Sequence, residues 1–178
     1  MKILVRWIDR LSAAGGVLAA VMLCAGLALI VAEIVTRSFF DYTLYVTEEY
    51  AGYLMCGLTF CALAYTLRDK GHIRMTFLLK VVKGRPRIYL DLACFVIGLA
   101  FCALLTWFTG LFFWDSVVSR SQSMQISETY LAIPQFFMPL GALLMTLQFF
   151  GEILRAIMLL QDGVDEAALR AESDALGR

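Results

Sequence analysis

Histidine is almost missing from this sequence: His72 is the single one among 178 residues. A haem-anchoring four-helix bundle needs histidines within its spans to ligate iron, so that enzyme class is excluded. Charge is scarce as well, with 17% Asp, Glu, Lys and Arg against 61% hydrophobic residues. A soluble domain of this length needs a far larger polar surface, so the composition points to a membrane protein. There is no Ser/His/Asp constellation, no phosphate-binding glycine loop and no cluster of metal ligands. Catalytic, cofactor-binding and metal-binding residues are therefore expected to be none, and the chain is not read as an enzyme. The five cysteines (Cys24, Cys56, Cys61, Cys94, Cys102) form no Cys-x-x-Cys pair and all sit in apolar runs. They suit packing rather than thiol chemistry, and no disulfide is expected. The basic residues occupy short segments beside apolar runs, without a soluble scaffold, which excludes nucleic acid as a partner.

Uncharged sequence is what the chain has in abundance. Leu11–Ala32, Tyr50–Leu67, Leu92–Trp114 and Thr129–Gly151 contain no Asp, Glu, Lys or Arg. As helices these runs cover roughly 27–35 Å, enough to cross a hydrocarbon core of about 30 Å. The connections set the orientation. Lys2, Arg6 and Arg10 precede the first run, and Arg68, Lys70, Arg74, Lys80, Lys83, Arg85 and Arg87 crowd the second connection. The first and third connections carry only Arg37 and Arg120. The expected fold is all-α and integral to a bacterial inner (plasma) membrane: four transmembrane helices, both termini cytoplasmic, and a basic cytoplasmic connection between helices 2 and 3.

The first residues also predict a short interfacial helix. Ile3, Leu4, Trp7, Ile8 and Leu11 share one face and Lys2, Arg6, Asp9 and Arg10 the other, a pattern suited to lying along the membrane surface. Met75–Tyr89 predicts a second surface segment, ended by Gly84 and Pro86. Residues 1–161 are expected to form one four-helix transmembrane domain in contact with membrane lipids, and residues 162–178 an acidic cytoplasmic tail. Tyr and Trp residues gather near the ends of the runs, as membrane-interface belts do.

Within a bilayer, small residues let helices approach closely. The first run places Gly16, Ala20, Cys24, Ala28 and Ala32 at every fourth position, and the third places Cys94, Gly98, Cys102, Thr106 and Gly110 likewise. Both stripes are predicted to be packing seams. Pro139 is expected to bend the fourth helix. Glu33 and Arg37, four apart, are expected to pair at the outer end of the first.

Around the second helix the sequence resembles a known family. Glu48-Glu49, Gly57, Ala62, Arg68 and Gly71-His72-Ile73 look like the pattern in the small membrane subunits of tripartite ATP-independent periplasmic (TRAP) transporters, the DctQ-like family. Leu131-Ala132-Ile133-Pro134 and Pro139-Leu140-Gly141 resemble its stretch opening the fourth helix, and the likeness runs from about Leu11 to Leu159. One position departs: family members often place an acidic residue four after the histidine, whereas here Thr76 follows His72-Ile73-Arg74-Met75.

The resemblance implies an accessory or scaffold subunit of a secondary transporter importing organic acids, such as C4-dicarboxylates. Its partners would be a large multispanning membrane subunit and a periplasmic substrate-binding protein. Glu48, Glu49, Gly57, Arg68, His72, Pro134 and Gly141 become candidate partner-contact or structural positions. Carboxylates at a helix start also favour its dipole, and Arg68 also fits a positive-inside anchor. A self-associating small exporter or channel-like protein is the alternative, although the uncharged span interiors offer it no buried ionisable group.

Overall fold

A computed structural model describes residues 2–69 and 85–161. Among the described residues five helices follow in order: α1 (Lys2–Phe40), α2 (Thr47–Arg68), α3 (Arg85–Val118), the short α4 (Ala132–Gln135) and α5 (Phe137–Gln161). Four helical stretches are long and apolar enough to cross a membrane: Ile3–Phe40, Thr47–Arg68, Tyr89–Val118 and Ala132–Met158. Each contains most of one uncharged run, and the described residues form no strand beyond an isolated Gln122–Tyr130 bridge.

No break sets an N-terminal helix apart from the first span. Residues 2–40 form a single 39-residue helix, roughly 58 Å long at 1.5 Å per residue. No proline interrupts it, and its N-terminal turns have their own packing partner. Val5 and Ile8 are buried, and a Cβ built on Gly151 of α5 would touch Ile8 at 3.4 Å. Ile3, Leu4, Trp7 and Leu11 remain exposed.

Helix α5 is the common neighbour, packing against α1, α2 and α3, while α1 also runs along α2. The α1 residues that face inward are Val5, Ile8, Ser12, Gly15, Ala19 and Met22, all buried. The half-buried Gly26, Leu29, Glu33 and Thr36 continue the line. These steps alternate three and four, the 3.5-residue repeat of left-handed helix pairs. Leu67, Cys102 and Met145 form a buried cluster joined by Leu63 and Phe149.

The fourth span is interrupted one turn before Pro139. Pro139 is the third residue of α5, where a missing N–H costs little. The interruption falls just before it, at Phe136, which separates α4 from α5. The carbonyl that Pro139 crowds is that of Gln135, the last residue of α4. Pro86 lies in the first turn of α3, where proline is tolerated. Most of the Met75–Tyr89 segment, with His72 and the 162–178 tail, lies outside the described residues.

Candidate functional site

Polar side chains concentrate at the two ends of the bundle. At the α1–α2 turn, the Glu33 carboxylate accepts from the Leu44 amide at 2.8 Å and the Thr47 hydroxyl at 3.1 Å. It therefore closes the connection ahead of α2 instead of pairing with Arg37, which is exposed. Asp41, just past the end of α1, takes a left-handed backbone with φ 50°, the geometry that ends many helices and that Asp tolerates.

Glu49, two residues into α2, ties that turn to the connection between α3 and α4. Its Oε1 accepts from the Tyr53 hydroxyl at 2.6 Å and its Oε2 from the Ser127 hydroxyl. Thr129 extends the link, 2.8 Å from Ser127 and 3.1 Å from the Tyr50 hydroxyl. The connection itself folds back through the Gln122–Tyr130 bridge, and Tyr130 donates to the Val117 carbonyl at 3.1 Å. Arg120 and Glu128 bracket it with positive φ values of 49° and 45°. Glu49 is only 8% exposed whereas Glu48 faces outward, so the two adjacent carboxylates have different surroundings.

At the opposite end a second cluster joins α1 to α5. Gln148 is fully buried. Its Oε1 accepts from the Ser12 hydroxyl at 2.6 Å, and its Nε2 reaches Asp9 at 3.4 Å and Glu152 at 3.3 Å. The Arg155 guanidinium forms ion pairs with both Asp9 and Glu152. Sequence reading placed Asp9 on a solvated face and overlooked this cluster. The signal was there, since Gln148, Glu152 and Arg155 recur at helical spacing on one side of the fourth span's end.

Between these ends the contacts are apolar or made by hydroxyls. Thr106 and Thr146 lie 3.0 Å apart across α3 and α5. No group of three or more metal-capable side chains comes together among the described residues.

The two small-residue stripes are only partly engaged. On α1, Gly16 meets Tyr65, where an added Cβ would come within 2.7 Å. Ala20, Cys24 and Ala28 are exposed. On α3, Gly98 faces Phe149, Cys102 is buried and Thr106 bonds across to α5, but Cys94 is exposed and Gly110 borders open space. A strict four-residue step rotates about 40° per repeat around a helix of 3.6 residues per turn. Such a stripe cannot stay on one face.

Of the family-like positions, Gly57 packs against Met22 and Phe137, and Gly141 lies on the Phe60 backbone. Pro134 is buried in α4, and Arg68 is half-buried in the last turn of α2.

This architecture defines a polytopic helical membrane protein braced by polar groups at its ends, with no charged group in mid-span among the described residues. The family model for "Tripartite ATP-independent periplasmic transporters, DctQ component" matches residues 26–159. The chain belongs to this family, the small membrane subunits of TRAP transporters. Comparison with curated proteins and with solved structures returned no match.

Proposed function

We propose that this chain is the accessory, scaffold-forming small subunit of a TRAP-type secondary transporter for organic acids such as C4-dicarboxylates or other carboxylates. It sits in a bacterial inner membrane with both termini cytoplasmic. Residues 1–161 form its transmembrane domain and 162–178 its acidic tail. It works with a large multispanning membrane subunit and a periplasmic substrate-binding protein. Substrate and coupling-ion sites belong to the large partner, and this chain enlarges the fixed body against which the partner's transport domain moves.

The observation that carries this reading is the family match over residues 26–159. The uncharged span interiors support it, because a chain moving an organic acid by itself needs a polar or charged site at membrane depth. Ala20, Cys24 and Ala28 offer a small-residue surface on α1 that the described residues leave exposed, and Glu48, Arg68 and His72 are further contact candidates.

The test is a gentle-detergent pull-down through a tag on the C-terminus, followed by mass spectrometry. A stoichiometric large multispanning protein is the expected result. A chain that purifies alone as a stable oligomer, active by itself in liposomes, would replace this reading with the self-associating exporter or channel.

A further inference from the structure

The first eleven residues carry two competing tendencies. Ile3, Leu4, Trp7 and Leu11 line one side of the helix, and a short helix patterned this way settles into the lipid interface when nothing restrains it. In the structure the same segment continues the axis of α1, with Val5 and Ile8 buried and Ile8 against Gly151. Ile3 remains 73% exposed and Trp7 59% exposed. The apolar side has therefore not been used up by packing.

A closed ring of polar contacts restrains the segment. Buried Gln148 needs every amide position satisfied inside the protein. It accepts from Ser12 and reaches both Asp9 and Glu152, while Arg155 pairs with both carboxylates. Two members come from α1 and three from α5. Ser12, Gln148 and Glu152 are buried while Asp9 and Arg155 stay partly exposed, so removing a charged member leaves buried groups short of a partner. Just beyond the ring lie Gly15 and Gly16, the adjacent glycine pair of α1, where a helix bends at least cost.

We propose that Asp9, Ser12, Gln148, Glu152 and Arg155 form a latch with two positions. Closed, it holds residues 2–11 upright against the end of α5. Open, it frees that segment to swing about Gly15–Gly16 and lay Ile3, Leu4, Trp7 and Leu11 in the headgroup layer of the adjacent leaflet. Arg10, whose guanidinium stands 5.7 Å over the Trp7 ring, accompanies the indole and suits anionic headgroups. The latch stands independently of the transporter reading.

The full chain carrying Ile8→Cys and Gly151→Cys in liposomes tests it. A Cβ at Gly151 lies 3.9 Å from the Ile8 Cβ, a separation that a disulfide spans. With the latch intact the cross-link forms readily on mild oxidation, and its peptide is identified by mass. In Asp9→Asn or Arg155→Met the cross-linking rate falls by about tenfold or more, because the ring has lost a charge partner. In the same two variants, with Trp107 and Trp114 replaced by Phe, Trp7 fluorescence becomes more strongly quenched by brominated lipid. An unchanged cross-linking rate in folded, monodisperse variants would mean that apolar packing, not the polar ring, holds the segment, and the latch idea fails. Slower cross-linking without added quenching would mean fraying rather than reorientation, and overturns it equally.

Discussion

Gly141 of α5 lies directly on the backbone of Phe60 in α2: a Cβ at residue 141 would stand 2.3 Å from the Phe60 carbonyl oxygen and 2.4 Å from its carbon. The neighbour is main chain in mid-helix, so no rotamer change can relieve the clash. Gly141→Ala must push α2 and α5 apart, and overpacking of this kind costs about 1–3 kcal/mol. Thermal unfolding in mild detergent should show a clear fall for this variant. Gly110→Ala is the control. Nothing lies within 4 Å of that position, and gaining helix propensity there should stabilise α3 by up to about 1 kcal/mol.

Position along α1 decides whether a bulky residue is tolerated. A Cβ at Gly15 would approach the Cys61 carbonyl oxygen at 2.9 Å, whereas Ala20 is exposed. Gly15→Leu is expected to destabilise the isolated chain strongly, by the same overpacking route. Ala20→Leu should leave its thermal unfolding unchanged. Pull-down of the Ala20→Leu chain then gives the second readout. Loss of the proposed large partner with normal stability would place the intermolecular seam on the Ala20, Cys24 and Ala28 face. Full recovery of the partner would place it elsewhere.

The spans were legible because charge missing over about twenty residues is a one-dimensional signal. The seams were less so, because contact depends on angle as well as spacing. The four-residue stripe of α1 drifts off the contact face after Gly16, while the residues truly buried follow Val5, Ile8, Ser12, Gly15, Ala19 and Met22. That line mixes small, polar and large side chains and is inconspicuous in the sequence. The partners of Glu49 were equally hidden. Ser127 lies 78 positions away, and a serine in a connection has no pattern that nominates it. Arg155 is 146 residues from Asp9, yet its helical spacing from Gln148 and Glu152 is a pattern that could have nominated it.

Glu33 separates two accounts of the outer end of α1. If it serves the Leu44 amide and Thr47 hydroxyl, as the distances of 2.8 and 3.1 Å indicate, Arg37→Ala should change stability by no more than a few tenths of a kcal/mol, as for an exposed side chain. Glu33→Ala leaves a backbone amide without its acceptor and should cost about 1–3 kcal/mol. Glu33→Gln retains a carbonyl acceptor and should fall between them. Equal losses from Arg37→Ala and Glu33→Ala would instead indicate that the two residues pair.

Glu49 can be tested so that its bracing role and any partner role come apart. Its carboxylate receives the Tyr53 and Ser127 hydroxyls from two different parts of the chain. Glu49→Ala removes both acceptors and should loosen the 119–131 connection. Limited proteolysis should then cut that connection faster, by about tenfold if around 1.4 kcal/mol of bracing is lost. Glu49→Gln keeps one carbonyl oxygen, and either hydroxyl can rotate to accept from the new amide. Its proteolysis should stay close to that of the native chain. The charge itself is then the only thing missing. A Glu49→Gln chain that resists protease yet fails to recover the proposed large subunit would show that this partner reads the negative charge. One that resists protease and assembles normally would confine Glu49 to holding the two connections together.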